Sequence, residues 1–91
     1  MATKKVECHI TLDPKFREKV EAPAKFFGFH ISFLKGDEVM GPDILMYLTK
    51  SGDDTSSITN DMFRMRDALN NNGCTVLRAK VEEIVYDSKG K

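Results

Sequence analysis

Seven residues near the N-terminus, Val6-Glu7-Cys8-His9-Ile10-Thr11-Leu12, alternate apolar and polar without a break. A period of two is that of a β-strand, whose successive side chains point to opposite faces. Such a strand needs a sheet with one side buried, so Val6, Cys8, Ile10 and Leu12 must be covered. Glu7, His9 and Thr11 then point the other way. The remaining chain, 91 residues in all, has to supply both the partner strands and the cover.

It does so in a readable order. Asp13-Pro14 is a helix start, an acid at the cap followed by proline at the first helical position. Phe16, Val20, Ala24 and Phe27 recur at helical spacing. Pro23 falls inside this run and predicts a kink or a split, because it removes one backbone bond and clashes with the carbonyl four residues back. Gly28 ends the helix. Phe29 to Leu34 alternates again, with Phe29, Ile31 and Phe33 inward. Lys35 to Asp43 holds Gly36, Gly41 and Pro42 and reads as a loop.

A third strand follows at Ile44–Thr49, with Ile44, Met46 and Leu48 inward and Leu45, Tyr47 and Thr49 outward. After a polar loop, a helix capped by Ser56 or Ser57 carries the stripe Ile58, Met62, Met65 and Leu69, and Gly73 closes it. The last strand starts near Cys74-Thr75-Val76. Leu77, Ala79 and Val81 are expected inward, and Arg78, Lys80 and Glu82 outward. Ile84-Val85-Tyr86 extends it.

The order β-α-β-β-α-β is that of a ferredoxin-like α+β sandwich: a four-stranded antiparallel sheet with two helices on one face. Its spatial strand order is fourth, first, third, second. A β-meander with appended helices is the alternative fold. The expected organisation is one domain over residues 1–91, with an ordered core at about 5–86 and a tail at 87–91. A domain this small buries roughly 60–65% of its unfolded surface.

Composition narrows the class further. Net charge is zero, with 14 basic and 14 acidic residues, which argues against general nucleic-acid binding driven by a basic surface. There are two cysteines and no Cys-x-x-Cys pair, so neither a disulfide framework nor a zinc site is expected. Met1 to Lys5 lacks the apolar stretch of a signal peptide, and no apolar run approaches the ~20 residues that span a bilayer. The expected setting is cytoplasmic, with no membrane partner.

The informative surface is the uncovered side of the sheet. It should gather Glu7, His9, Thr11, His30, Ser32, Leu45, Tyr47, Thr49, Arg78, Lys80 and Glu82. Both histidines of the chain are among them. Each stands two residues before a hydroxyl, in His9-Ile10-Thr11 and His30-Ile31-Ser32, and the period of two puts each pair on one side. Tyr47 is expected between the two imidazoles. Because the fourth strand neighbours the first, Arg78 and Lys80 should flank Glu7, His9 and Thr11. Two readings follow. Glu7 pairs across strands with Lys80 or Arg78, for roughly 0.2–1 kcal/mol. Alternatively Arg78, as a forked donor, and Lys80, as a point charge, form an anion site with His9 and Thr11.

The two His-x-Thr/Ser motifs resemble those of the two-histidine (2H) phosphoesterases. That resemblance implies acid and base roles for His9 and His30 on a phosphodiester, with Thr11 and Ser32 binding phosphate. Neutral and charged imidazole coexist near neutral pH, which suits such an exchange.

Other candidates carry less. Thr49 to Ser56 could offer backbone amides to an anion, but Asp53 and Asp54 mark it as a helix start. Glu7, His9 and Glu82 could converge, yet no spaced ligand pattern supports a metal, and neither metal nor cofactor is expected. Cys8 points inward, where a thiol behaves as a small apolar group. Phe26 and Phe63 fall outside the helical stripes and either widen the core or form a partner surface.

The leading expectation is therefore a small binding or regulatory module. Its open face, through Glu7, Thr11, Ser32, Tyr47, Thr49, Arg78, Lys80 and Glu82, takes an anionic ligand such as a nucleotide or phosphate ester, or a second subunit in a homodimer. A phosphoesterase using His9 and His30 and a protein-interaction accessory are the alternatives.

Overall fold

A computed structural model describes residues 2–36, 41 and 43–87. Its strands and helices are β1 (Ala2–Leu12), α1 (Arg17–Phe27), β2 (His30–Lys35), β3 (Ile44–Gly52), α2 (Thr55–Asn71) and β4 (Val76–Asp87), with a single 3-10 turn at Pro14–Phe16 before α1. The four strands form one antiparallel sheet in the order β2-β3-β1-β4. That is the ferredoxin-like arrangement the element order predicts. The hairpin-based alternative is excluded by β1, which lies between β3 and β4.

One apolar cluster explains why the sheet has a covered side. Val6, Cys8, Ile10 and Leu12 of β1 meet Met46 and Leu48 of β3, and the helices add Val20, Ala24, Ile58, Met62, Met65 and Leu69. The strand residues in this set all share one parity, so both helices lie on the same face. Each methylene removed from water there stabilises by about 0.8 kcal/mol. Burial also pushes the Cys8 thiol up from its ordinary value, keeping it protonated and unreactive.

The ends of α1 follow the sequence closely. Asp13 caps the 3-10 turn by accepting from the Lys15 amide at 2.9 Å. Gly28, at φ 80°, takes the left-handed conformation that lets its own amide and that of Phe29 reach the Ala24 carbonyl. Lys50 then locks this end: its ammonium donates to the Phe27 carbonyl and pairs with Asp61 of α2, both at 2.7 Å.

Four expectations are corrected. Pro23 does not split its helix; α1 runs unbroken through it. The cap of α2 is Asp54, which accepts from the Ser57 amide at 3.0 Å and the Ser57 hydroxyl at 2.8 Å, rather than Ser56 or Ser57 themselves. A carboxylate there also meets the positive end of the helix. Leu77 does not point inward. The β1–β4 register shifts between Thr11 and Leu12, so Leu12 pairs with Val76 and Thr11 with Arg78. Leu77 is the extra residue of a bulge and is 47% exposed, while Val76 packs on the core. Ile44, although of inward parity, lies at the end of β3 and is 52% exposed.

β1 and β4 are also longer than the alternation suggested, and they pair back to Ala2 and Asp87. Residues 88–91 of the expected tail, and 37–40 and 42 of the expected loop, lie outside the described residues. Phe26 and Phe63 stay exposed rather than widening the core. Phe26 stands edge-on to Phe27, and the Arg66 guanidinium lies over the Phe63 ring. Among the described residues no helix is long and apolar enough to cross a membrane.

Candidate functional site

The strand registers arrange the open face in rows. His30, Thr49, His9 and Lys80 stand side by side across β2, β3, β1 and β4. The next row is Ser32, Tyr47, Thr11 and Arg78. Neighbouring strands lie ~4.8 Å apart, so each row spans roughly 14 Å. A third row brings Glu7 opposite Glu82. Arg78 and Lys80 thus flank Thr11 and His9, as the strand order implied. The residue between the two imidazoles is Thr49, not Tyr47; Tyr47 instead separates Thr11 from Ser32.

A cavity of ≈ 370 Å³ opens over these rows. Its lining takes His9 and Thr11 from β1, Tyr47 and Thr49 from β3, and Arg78, Lys80 and Glu82 from β4. From β2 it takes Ser32 together with Leu34 and Lys35. Eight of the ten residues singled out from the sequence therefore converge. His30, exposed at the β2 edge, and Glu7 do not line it. Leu34 and Lys35 are additions. Leu34 has the right parity and was readable as such, whereas Lys35 ends its strand, where alternation no longer fixes direction. Thr11 is almost fully buried at the floor, and Leu45 is buried as well, so the open face has an interior of its own.

Charge across the cavity is uneven. Among the described residues that line it, Lys35, Arg78 and Lys80 are cations and Glu82 is the carboxylate. Glu82 holds His9 Nε2 at 3.0 Å and Lys80 Nζ at 3.6 Å with its two oxygens. Glu7 approaches His9 Nε2 at 3.6 Å and pairs with Lys5 at 3.3 Å. The like-charged pair Glu7–Glu82, unfavourable across a ladder, is relieved by these three neighbours. The expected ion pair of Glu7 with Lys80 or Arg78 is replaced by Lys5–Glu7 and Lys80–Glu82. His9 Nδ1 lies 3.1 Å from the Thr49 hydroxyl. The Tyr47 hydroxyl donates to the Lys35 carbonyl at 3.5 Å.

Glu7, His9 and Glu82 bring one ligand atom each to within 4.8 Å of one another, a spacing a cation could bridge. Lys5 and Lys80 already neutralise the two carboxylates, which removes much of the attraction for a metal ion.

No protein-family model matches the sequence, and no curated protein does. Solved structures do. CPII, a nitrogen regulatory PII-like protein from Thiomonas intermedia K12, solved with ADP, AMP and bicarbonate, is similar with a TM-score of 0.56 at 9% identity. The match covers 96% of this chain and 94% of CPII. A second CPII structure, bound to ADP, AMP and acetate, gives 0.55 at 10% identity over 96% and 92%. LarC2, the C-terminal domain of a cyclometallase involved in synthesis of the NPN cofactor of lactate racemase, gives 0.53 at 13% identity, over 96% of this chain and 58% of that one.

The likeness is one of fold alone: these structures share the ferredoxin-like sandwich of this chain. It overturns the resemblance to the two-histidine phosphoesterases, since the similar structures are PII-like proteins and a cyclometallase domain. The acid and base roles implied for His9 and His30 lose their support with it. In physical terms, the two imidazoles belong to strands separated by β3, and only His9 reaches the cavity.

Proposed function

We propose that this protein is a small regulatory ligand-binding module whose open sheet face takes a phosphate-bearing anion, a nucleotide being the first class to test. One observation carries the reading: among the described residues the cavity gathers Lys35, Arg78 and Lys80 beside Glu82, and it is floored by the hydroxyl residue Thr11 next to Arg78. Arg78 supplies a planar fork for two phosphate oxygens, and Lys80 and Lys35 supply point charges. Leu34 and Tyr47 give an apolar, partly aromatic wall toward β2, suited to the ring of a nucleotide. CPII, similar in fold, is described as bound to ADP and AMP, which supports starting from adenine nucleotides.

Calorimetric titration with AMP, ADP and inorganic phosphate tests this. The nucleotides should bind, and Arg78→Ala should weaken them about tenfold or more, the equivalent of ~1.4 kcal/mol. Absence of binding by all three at about 10 mM, a level that would reveal affinities weaker than ~4 kcal/mol, overturns the proposal. A second copy of the chain over the same face would compete with the ligand by covering Lys80 and Glu82. Light scattering with and without ADP separates the two occupants.

A further inference from the structure

The hydrogen bonds around His9 allow it to change charge without moving. Resting on the anion site proposed above, we propose that ligand binding there is coupled to protonation of His9, so that the anion is taken up together with a proton. His9 Nε2 faces Glu82 at 3.0 Å, and Nδ1 faces the Thr49 hydroxyl at 3.1 Å. A neutral ring satisfies both by donating from Nε2 and accepting at Nδ1 from the hydroxyl proton. An imidazolium satisfies both by donating from each nitrogen, with the Thr49 hydroxyl turned to accept. Because a hydroxyl serves in either role, neither protonation state leaves a partner unmatched. A carbonyl or an ammonium in the place of Thr49 would favour one state only.

Among the described residues, charges of both signs face His9. From its own strand comes Glu7, held by Lys5. From β4 come Lys80, directly opposite, then Glu82 and the diagonal Arg78. β3 contributes the uncharged Thr49 and Tyr47, with His30 beyond on β2. The helices lie on the other side of the sheet. A dianion entering the cavity adds negative charge beside this group and competes with Glu82 for Lys80. Both effects favour imidazolium at His9. By linkage, whatever makes protonation easier in the bound state makes binding tighter where the proton is available. The sign is therefore fixed: affinity rises as His9 gains its proton and declines as it loses it.

Sulfate is the cleanest probe, because its own charge stays constant across that range. With sulfate present, the titration midpoint of the His9 ring signals, followed by NMR, should move up by about half a unit to one unit. The exposed His30, outside the cavity, is the internal control and should move less. Sulfate affinity should be about threefold to tenfold tighter at about pH 6 than at about pH 8, and this dependence should flatten in His9→Gln. AMP titrated in the same way should also move the His9 midpoint. Binding of sulfate or AMP with an unmoved His9 midpoint and an affinity independent of pH overturns the coupling and leaves the anion site standing. Failure of both probes to bind overturns the two together.

Discussion

The two faces of this sheet carry the same strands and are held in different ways. On the covered face Val6, Cys8, Ile10, Leu12, Met46 and Leu48 are fully buried, and their positions follow from packing against two helices. On the open face Glu7, His9, Thr49, Lys80 and Glu82 are fixed by directional hydrogen bonds and ion pairs, with water on one side. Removing a covered side chain leaves a cavity that neighbours cannot fill. Removing one of these open-face side chains leaves groups that water can solvate. The contrast assigns stability to the covered face and leaves the open face for the ligand binding proposed above.

The largest effect expected from that division is at Leu48. Leu48→Ala should lower the free energy of unfolding by about 2–5 kcal/mol in urea denaturation. A loss below about 1 kcal/mol, the range of an ordinary surface change, would show that the covered face is not the seat of stability. A smaller effect is expected where polar chemistry intrudes on that face. Lys50 joins the end of α1 to Asp61 of α2 and is only part-buried. Asp61→Ala should cost about 1–2 kcal/mol by the same method, since Lys50 keeps its bond to the Phe27 carbonyl and stays partly solvated. A cost matching that of Leu48→Ala would erase the distinction between packing and polar contacts.

The same contrast explains what was legible in the sequence. Alternation named the covered side of β1, and helical spacing named the whole buried stripe of α2, because both report burial directly. Open-face membership was legible by subtraction, and eight of its residues do line one cavity. Hidden were the features that depend on geometry rather than period. One extra residue at Leu77 reverses its direction without altering the composition of the strand. Strand ends such as Ile44 and Lys35 escape the pattern because no helix covers them.

Specific partners were likewise beyond reach. The residue between His9 and His30 is set by the β1–β3 and β2–β3 registers, and a two-residue error exchanges Thr49 for Tyr47. The split expected at Pro23 does not occur, because helix packing on the sheet outweighs the single bond that proline removes. The histidine motifs suggested an acid–base pair because short patterns fix parity and not strand order.

On the proposed reading, a nucleotide touches the molecule on the open sheet face. Amide NMR spectra recorded with increasing ADP should show concentrated shifts at Thr11, Tyr47, Thr49 and Arg78, with Val20, Met62 and Met65 unmoved. Shifts gathered along α1 and α2 with none on the open face, or no shifts at all, would contradict it.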